Sequence, residues 1–305
     1  MSASTLLSKP FGFLNVEKPS GLTSRKVTSR LHGALAARLE TTKRQLKVGH
    51  VGTLDPLAGG VLAVAVGPAT RLSNLLHEGK KQYLATFRLG LRSDTEDVEG
   101  TVEADPRAIP SRDAIEAAIP SFIGAIEQRP PAFSAKMIEG QRAHDLARKG
   151  RTVDLPSVTV TVESIDLLTF QSPNFTLRVT CGAGTYVRSL GRDLAAACES
   201  SAIMTALVRE VSGPFRLDEA TPFDEVRADP LAFVQPAGDI LRRLMPTTTV
   251  ERETAIDLGN GRLVHSADTS ASGRTAALCG DELIAVVDAQ DGLLQPRLVL
   301  QRWFA

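Results

Sequence analysis

Gly52-Thr53-Leu54-Asp55-Pro56-Leu57-Ala58-Gly59-Gly60-Val61-Leu62 sets a single acid between glycines and leads straight into the apolar run Val61-Leu62-Ala63-Val64-Ala65-Val66. The proline after Asp55 biases that residue away from helical dihedrals, towards an extended or turn conformation. Gly52 and the Gly59-Gly60 pair allow a foreign backbone or ring to approach closely. The apolar run has the length and β-branched content of a fully buried strand. Taken alone, an aspartate capping a turn is the simpler account of Asp55. An ionisable group on a rigid loop feeding a core strand is the sharper one.

Upstream, Phe11-Gly12-Phe13-Leu14-Asn15-Val16 reads as a strand, closed by the turn residues Lys18-Pro19-Ser20-Gly21. Ser24 is expected to N-cap a helix whose apolar positions Val27, Leu31, Leu35 and Leu39 recur every four residues. A polar, basic connection, Glu40 to Lys47, follows. Downstream come a helix from about Thr70 past Leu76 and a strand from Gln82 to Gly90. A short helix N-capped by Ser111 is next, followed by an irregular proline-bearing segment at Gln128–Lys136. Val158–Val162 and Phe175–Thr180 alternate strictly and are the clearest strands. Gly182-Ala183-Gly184 leads into a helix ending near Cys198; it lacks the spacing and the partner acid of a dinucleotide cradle. Pro246–Val250 looks like a boundary before short strands separated by turns.

The 305 residues suffice for one large and one small domain, and 43% hydrophobic residues is ordinary for a soluble globular chain. No apolar run reaches the roughly 18–20 residues a membrane helix needs. Met1–Pro10 lacks the layout of a secretion signal. Cys181, Cys198 and Cys279 are few and irregularly spaced, which fits reduced structural thiols in a cytoplasm and no metal constellation. Net charge is zero, but its distribution is segregated. Lys18 to His50 carries eight Lys/Arg against Glu40 alone, and Asp94 to Asp105 carries six acids and no base. That predicts a phosphate-facing side and a separate, acidic, solvent-facing lobe. Arg129, Lys136, Arg142, Arg148, Lys149 and Arg151 form a second candidate phosphate-contact region.

Val48-Gly49-His50-Val51-Gly52-Thr53-Leu54-Asp55-Pro56-Leu57-Ala58 closely resembles the catalytic motif of the TruB family of tRNA pseudouridine synthases. Five further stretches resemble the same family: Lys18–Ser24, Lys80-Lys81-Gln82-Tyr83, the proline-bearing Gln128–Lys136, Gly184-Thr185-Tyr186-Val187-Arg188 and Leu207-Val208-Arg209. The resemblance implies an α+β fold, with a large twisted, mostly antiparallel sheet flanked by helices over residues 10–245. It also implies a small β-rich PUA-like RNA-binding domain over 246–305, on the weaker match around Ile256–Arg262 and Glu282–Val287.

The implied activity is isomerisation of a T-loop uridine in tRNA, without cofactor or metal. The implied partner is the T-arm of tRNA, bound by a cytoplasmic monomer with no protein partner and no membrane. By resemblance, Asp55 is the catalytic carboxylate, Arg188 keeps it ionised and oriented, Tyr83 lies against the uracil and Leu207 closes the pocket. His50 fills the space left by the flipped base. Lys18, Arg25, Lys26, Lys43, Arg44 and Lys136 are the expected RNA contacts. The alternatives are a non-catalytic tRNA-binding or folding protein and a guide-RNA-dependent relative. A glycosidase lacks a convincing second carboxylate beside Asp55.

Overall fold

Two strands buried on both faces organise the first half of the molecule. The computed structural model describes residues 11–133, the backbone of 137–138 and 141–142, and residues 155–266 and 269–300. These fall into two units: residues up to 56, 60–77 and from 213 on form the first, and 57–59 with 78–212 the second.

In the first unit, β1 (Gly12–Lys18) runs antiparallel to β3 (Gly59–Val66), with Gly12 opposite Val66 and Lys18 opposite Gly60. Between them in sequence lie α1 (Ser24–Arg38) and β2 (Val48–Val51), whose His50 sits opposite Val64 on β3. On one face, Leu14, Val16, Leu62, Val64 and Val66 pack with Val27, Leu31 and Leu35 of α1. On the other, Phe13, Val61, Ala63 and Ala65 pack with Ala276, Leu278, Leu283 and Val286. Two buried faces explain why the sequence shows an unbroken apolar run here rather than alternation.

Ser24 does not cap α1. Thr23 does, accepting from the Lys26 amide at 3.0 Å, because the Ser24 hydroxyl is committed elsewhere. The helix expected from Thr70 begins instead as a 3₁₀ turn at Gly67–Leu72, with proline in its first turn, and becomes α-helical only over Ser73–His77.

The second unit is an antiparallel sheet. Its strands are β4 (Lys81–Leu89), β5 (Gly124–Gln128), β6 (Val158–Gln171), β7 (Asn174–Cys181) and β8 (Ala202–Ser212), in spatial order β8-β4-β7-β6-β5. Helix α2 (Val187–Ala197) crosses it closely: a Cβ on Gly191 would lie 2.0 Å from the Phe87 ring, so only glycine fits. Phe87 stacks on Phe175 at 5.2 Å between centroids.

The acidic run is only half a solvated lobe, with Asp94, Glu99 and Glu103 exposed. Residues 91–93 and 102–104 form a small hairpin, and Asp97 and Asp105 are buried, with Glu96 half-buried. Buried carboxylates need partners. Asp105 takes Arg92 and Arg107, and the other two are held as described below.

The chain closes in the first unit with a curled five-stranded sheet of order β9-β11-β12-β13-β10. Its members are β9 (Thr247–Thr249), β10 (Val264–His265), β11 (Gly273–Cys279), β12 (Glu282–Gln290) and β13 (Leu293–Val299). Helix α3 (Arg252–Gly259) covers its own cluster of Ala255, Leu258, Ala277, Ile284 and Val287. The mixed, largely antiparallel sheets with flanking helices and the small β-rich C-terminal module match the expected fold class.

Candidate active site

The loop around Asp55 is gripped on both sides of the acid. Ser24 Oγ accepts from the Leu54 amide at 2.8 Å and donates to the Leu54 carbonyl at 2.9 Å, and Leu54 is itself buried. On the far side, Gly21 N donates to the Pro56 carbonyl at 2.8 Å. Positive φ at Gly52 (71°) and Gly60 (93°) turns the chain in and out of the loop, a conformation only glycine adopts freely. Asp55 is left half-buried at the centre of a segment whose neighbours cannot shift independently.

Lys18, expected among the RNA contacts, is fully buried. Its Nζ donates to the carbonyls of Pro19 (2.9 Å), Leu22 and Pro56 (3.4 Å), so its charge is used to hold the turn and the Asp55 loop together. Residues of the Lys18–Ser24 motif thus form the floor of the loop through one ammonium, one amide and one hydroxyl.

His50 is half-buried on β2, its Nδ1 3.1 Å from Thr28 Oγ1. Thr28 gives its single proton to the Ser24 carbonyl at 2.8 Å. The His50 Nδ1 is therefore the donor of its pair, which fixes the orientation of the ring. Arg25, Lys26, Lys43 and Arg44 are all exposed, as are Arg30 and Lys47. The connection bearing Lys43 and Arg44 is tied down by buried Leu46, whose carbonyl accepts from His32 Nε2 at 2.7 Å, and by Lys43 Nζ donating to the Ser29 carbonyl at 3.2 Å. Lys136 lies outside the described residues.

In the second unit, Tyr83 on β4 sits opposite Val179 on β7 and Arg209 on β8, and buried Leu207 sits opposite Ala85. Lys81 shares Tyr83's face of β4 and is also buried. Burial, and secondarily the Arg209 charge, bring the Lys81 ammonium down to about 8. The neighbouring Cys181 thiol is pushed up to about 11 by burial and is not a nucleophile at neutral pH.

Arg188 is the second residue of α2. It donates from Nη1 to the Thr95 carbonyl at 2.7 Å and from Nη2 to the Phe133 carbonyl at 3.1 Å, with Asp97 Oδ2 3.5 Å from Nη1. The residue before the helix, Tyr186, has both backbone groups taken by fully buried Gln128, at 2.8 and 3.0 Å. Thr28 and Gln128 were not singled out from sequence, and Ser24 and the Thr95–Asp97 segment were read there in other roles, because each acts on a residue between 4 and 93 positions away. The spacing carries no pattern.

Within the first unit the structure brings Asp55, Lys18 and the Ser24 support together. Within the second it gathers Tyr83, Leu207 and Lys81 on neighbouring strands and Arg188 at a helix start. Among the described residues no group of His, Cys, Asp and Glu could hold a metal ion, and no helix is long and apolar enough to cross a membrane.

Residues 39–187 match the sequence model of the TruB family pseudouridylate synthase N-terminal domain. A protein named tRNA pseudouridine synthase B from Rhodopirellula baltica is 40% identical over 256 residues, covering 80% of this chain and 72% of its own. One of the same name from Gluconacetobacter diazotrophicus is 36% identical, covering 95% of this chain and 97% of its own. Among solved structures, a Cbf5-Nop10-Gar1 complex aligns with a TM-score of 0.72 at 24% identity, covering 97% of this chain and 87% of that one. An H/ACA RNP bound to a substrate RNA containing 2'-deoxyuridine aligns at 0.71 and 23%, covering 95% and 85%. At those identities the likeness to the two structures is one of fold.

Proposed function

The chain belongs to the TruB family of pseudouridine synthases and isomerises uridine to pseudouridine in tRNA; from that premise we propose that Asp55 is the reacting carboxylate and a T-loop uridine its target. The observation that carries this reading is the loop itself. A half-buried acid stands between Leu54, held through both backbone groups by Ser24, and Pro56, held by Gly21 and Lys18. A carboxylate meant only to cap a turn needs no such external support. One meant to meet a reacting atom does, since small displacements cost rate steeply.

The reaction breaks the N-glycosidic bond, turns the uracil and rejoins it through C5. Atoms and electrons balance within the nucleotide, so the chemistry calls for no redox cofactor. It does call for a carboxylate near the sugar C1′ or the base C6, for management of the C5 proton, and for a closed pocket that retains the free base. Asp55 supplies the first. Tyr83, Arg188 and Leu207 supply active-site support: a ring for the uracil, a cation that favours the ionised acid, and an apolar wall. The T-loop uridine must be flipped out at a cost of a few kcal/mol. His50, pinned by Thr28, takes the space it vacates.

Arg25, Lys26, Lys43 and Arg44, on the exposed face of α1 and the following connection, contact phosphates without reading sequence. The C-terminal sheet adds RNA contacts as a PUA-like module. The chain acts alone, as a monomer in the cytoplasm. The test is tritium release from tRNA labelled at uracil C5. Wild type should release one tritium per modified uridine, and Asp55→Ala and Asp55→Asn should release none above background while still binding tRNA. Release by either variant removes Asp55 from the chemistry.

A further inference from the structure

Besides the Phe133 carbonyl, Arg188 is held from one short stretch of chain. Thr95, Glu96 and Asp97 each contribute to the start of α2. The Thr95 carbonyl and the Asp97 carboxylate face the Arg188 guanidinium directly. Glu96 takes hold of its neighbours on the helix. Its carboxylate accepts from Ser189 Oγ at 2.8 Å and pairs with Arg192, which are the residue after Arg188 and the residue one helical turn beyond it.

The platform under Glu96 is rigid. Its carbonyl accepts from Met204 N at 3.0 Å, and the Met204 carbonyl accepts from Val98 N at 3.1 Å, so β8 holds the segment from both sides. Glu96 itself sits at φ 63°, in the left-handed region that non-glycine residues adopt at a cost. A strained glutamate, tied to a core strand and aimed at two side chains of one helical turn, is an expensive arrangement for a surface acid.

We infer that Glu96 is a positioning residue for Arg188: through Ser189 and Arg192 it fixes the rotation of the helix turn that carries that guanidinium, and it does so as the ionised carboxylate. The inference rests on the reading of Arg188 as active-site support. The charged groups around Glu96 are Arg192 and Arg188 from α2, with Asp97 and Asp94 on its own loop. Asp193 engages the far side of Arg192 at 2.8 Å. Arg192 also donates to the Arg129 carbonyl at 3.1 Å, so the turn Glu96 fixes is joined to the residues leading to Phe133.

Burial raises the Glu96 carboxyl above the ordinary range, with the two arginines and the Ser189 hydroxyl pulling the other way. The sign follows. The folded state keeps the proton to higher pH than the unfolded state does, so ionising Glu96 lowers stability as pH rises through that window. Activity that needs the ionised carboxylate rises over the same window. A purely structural glutamate would make activity track stability; a positioning one makes them move in opposite directions.

The experiment measures kcat by tritium release, tRNA Kd, and thermal stability from about pH 5 to 8 for wild type, Glu96→Gln, Glu96→Ala and Arg188→Ala. Glu96→Ala should lower kcat about 10–100-fold, with Kd within about twofold of wild type. Glu96→Gln keeps an acceptor for Ser189, should lose about 3–10-fold in kcat at neutral pH, and should move the acid limb of kcat to lower pH. If Glu96→Ala does not fold, Glu96→Gln carries the test. Wild-type kcat and an unmoved acid limb in Glu96→Gln, beside an inactive Arg188→Ala, overturn the inference and leave the reading of Arg188 intact. Full activity in Arg188→Ala removes that reading, and with it the role of Glu96.

Discussion

The two supports built around the proposed site residues use different physics. The Asp55 loop is held chiefly by neutral groups, a hydroxyl on both backbone groups of Leu54 and an amide on Pro56, with one buried ammonium on three carbonyls. The start of α2 is held mainly by ions, the pairs Asp97–Arg188 and Glu96–Arg192, with the Ser189 hydroxyl and Gln128 as neutral side-chain links. A neutral clamp gives the same geometry at every pH. An ionic one couples geometry to protonation. The acid proposed to do the chemistry therefore rests on a largely neutral support, expected to respond little to pH, while the cation proposed to assist it rests on one that responds.

Lys18 offers the hardest way to break this comparison, since it is the one charge in the neutral clamp. Lys18→Met would fill the volume but abandon three carbonyls beside a buried loop. Hydrogen bonds to a charged donor contribute more than neutral ones, and stranded buried acceptors add their own penalty. The expected loss is about 2–4 kcal/mol of stability by denaturant titration, together with a fall in kcat larger than any rise in tRNA Kd. A Lys18 variant with native stability and normal kcat, but weakened tRNA binding, would restore Lys18 as an RNA contact.

Ser24→Ala is milder and sharpens the distinction. It removes two hydrogen bonds to Leu54, at a cost of about 1–2 kcal/mol. It should lower kcat by a factor that does not vary with pH, because nothing it touches titrates. Measured beside Glu96→Gln, it supplies the pH-flat reference. A Ser24→Ala deficit that grows towards acid would mean the loop's support is ionic after all.

What the sequence disclosed follows the same division. The unbroken run Val61–Val66 announced a strand buried on both faces, and Phe175–Thr180 alternated as a strand buried on one; both are found. β6 runs on to Gln171, well past the expected end at Val162, because bulges after Val162 and Leu167 break the period-two pattern that alternation detects. The acids of Asp94–Asp105 showed their sign but not their direction. Those at 96, 97 and 105 turn inward to arginines, so a run that reads as solvated surface holds buried ion pairs. Asp55, Tyr83, Arg188 and Leu207 were legible only through motif resemblance. Their supports were legible through nothing local, since Ser24 and Leu54 stand 30 residues apart, and Ser189 and Glu96 stand 93 apart.

The smallest expected effect lies outside both supports, on the exposed basic connection. Lys43 reaches back to the Ser29 carbonyl and Lys47 is exposed, so neither holds the Asp55 loop. Replacing both with alanine should leave kcat at saturating tRNA and its pH profile unchanged. Each phosphate contact removed releases about one fewer counterion, so the slope of log Kd against log salt should flatten by about 1–2. The change in affinity should shrink as salt rises, since the lost contacts are those that salt already screens. An unchanged slope would make the connection a tethered surface loop with no part in RNA binding. A pH-dependent loss of kcat would be more instructive, because surface charge would then reach the ionic support of α2, and the separation between a largely neutral loop support and a pH-sensitive helix start would fail.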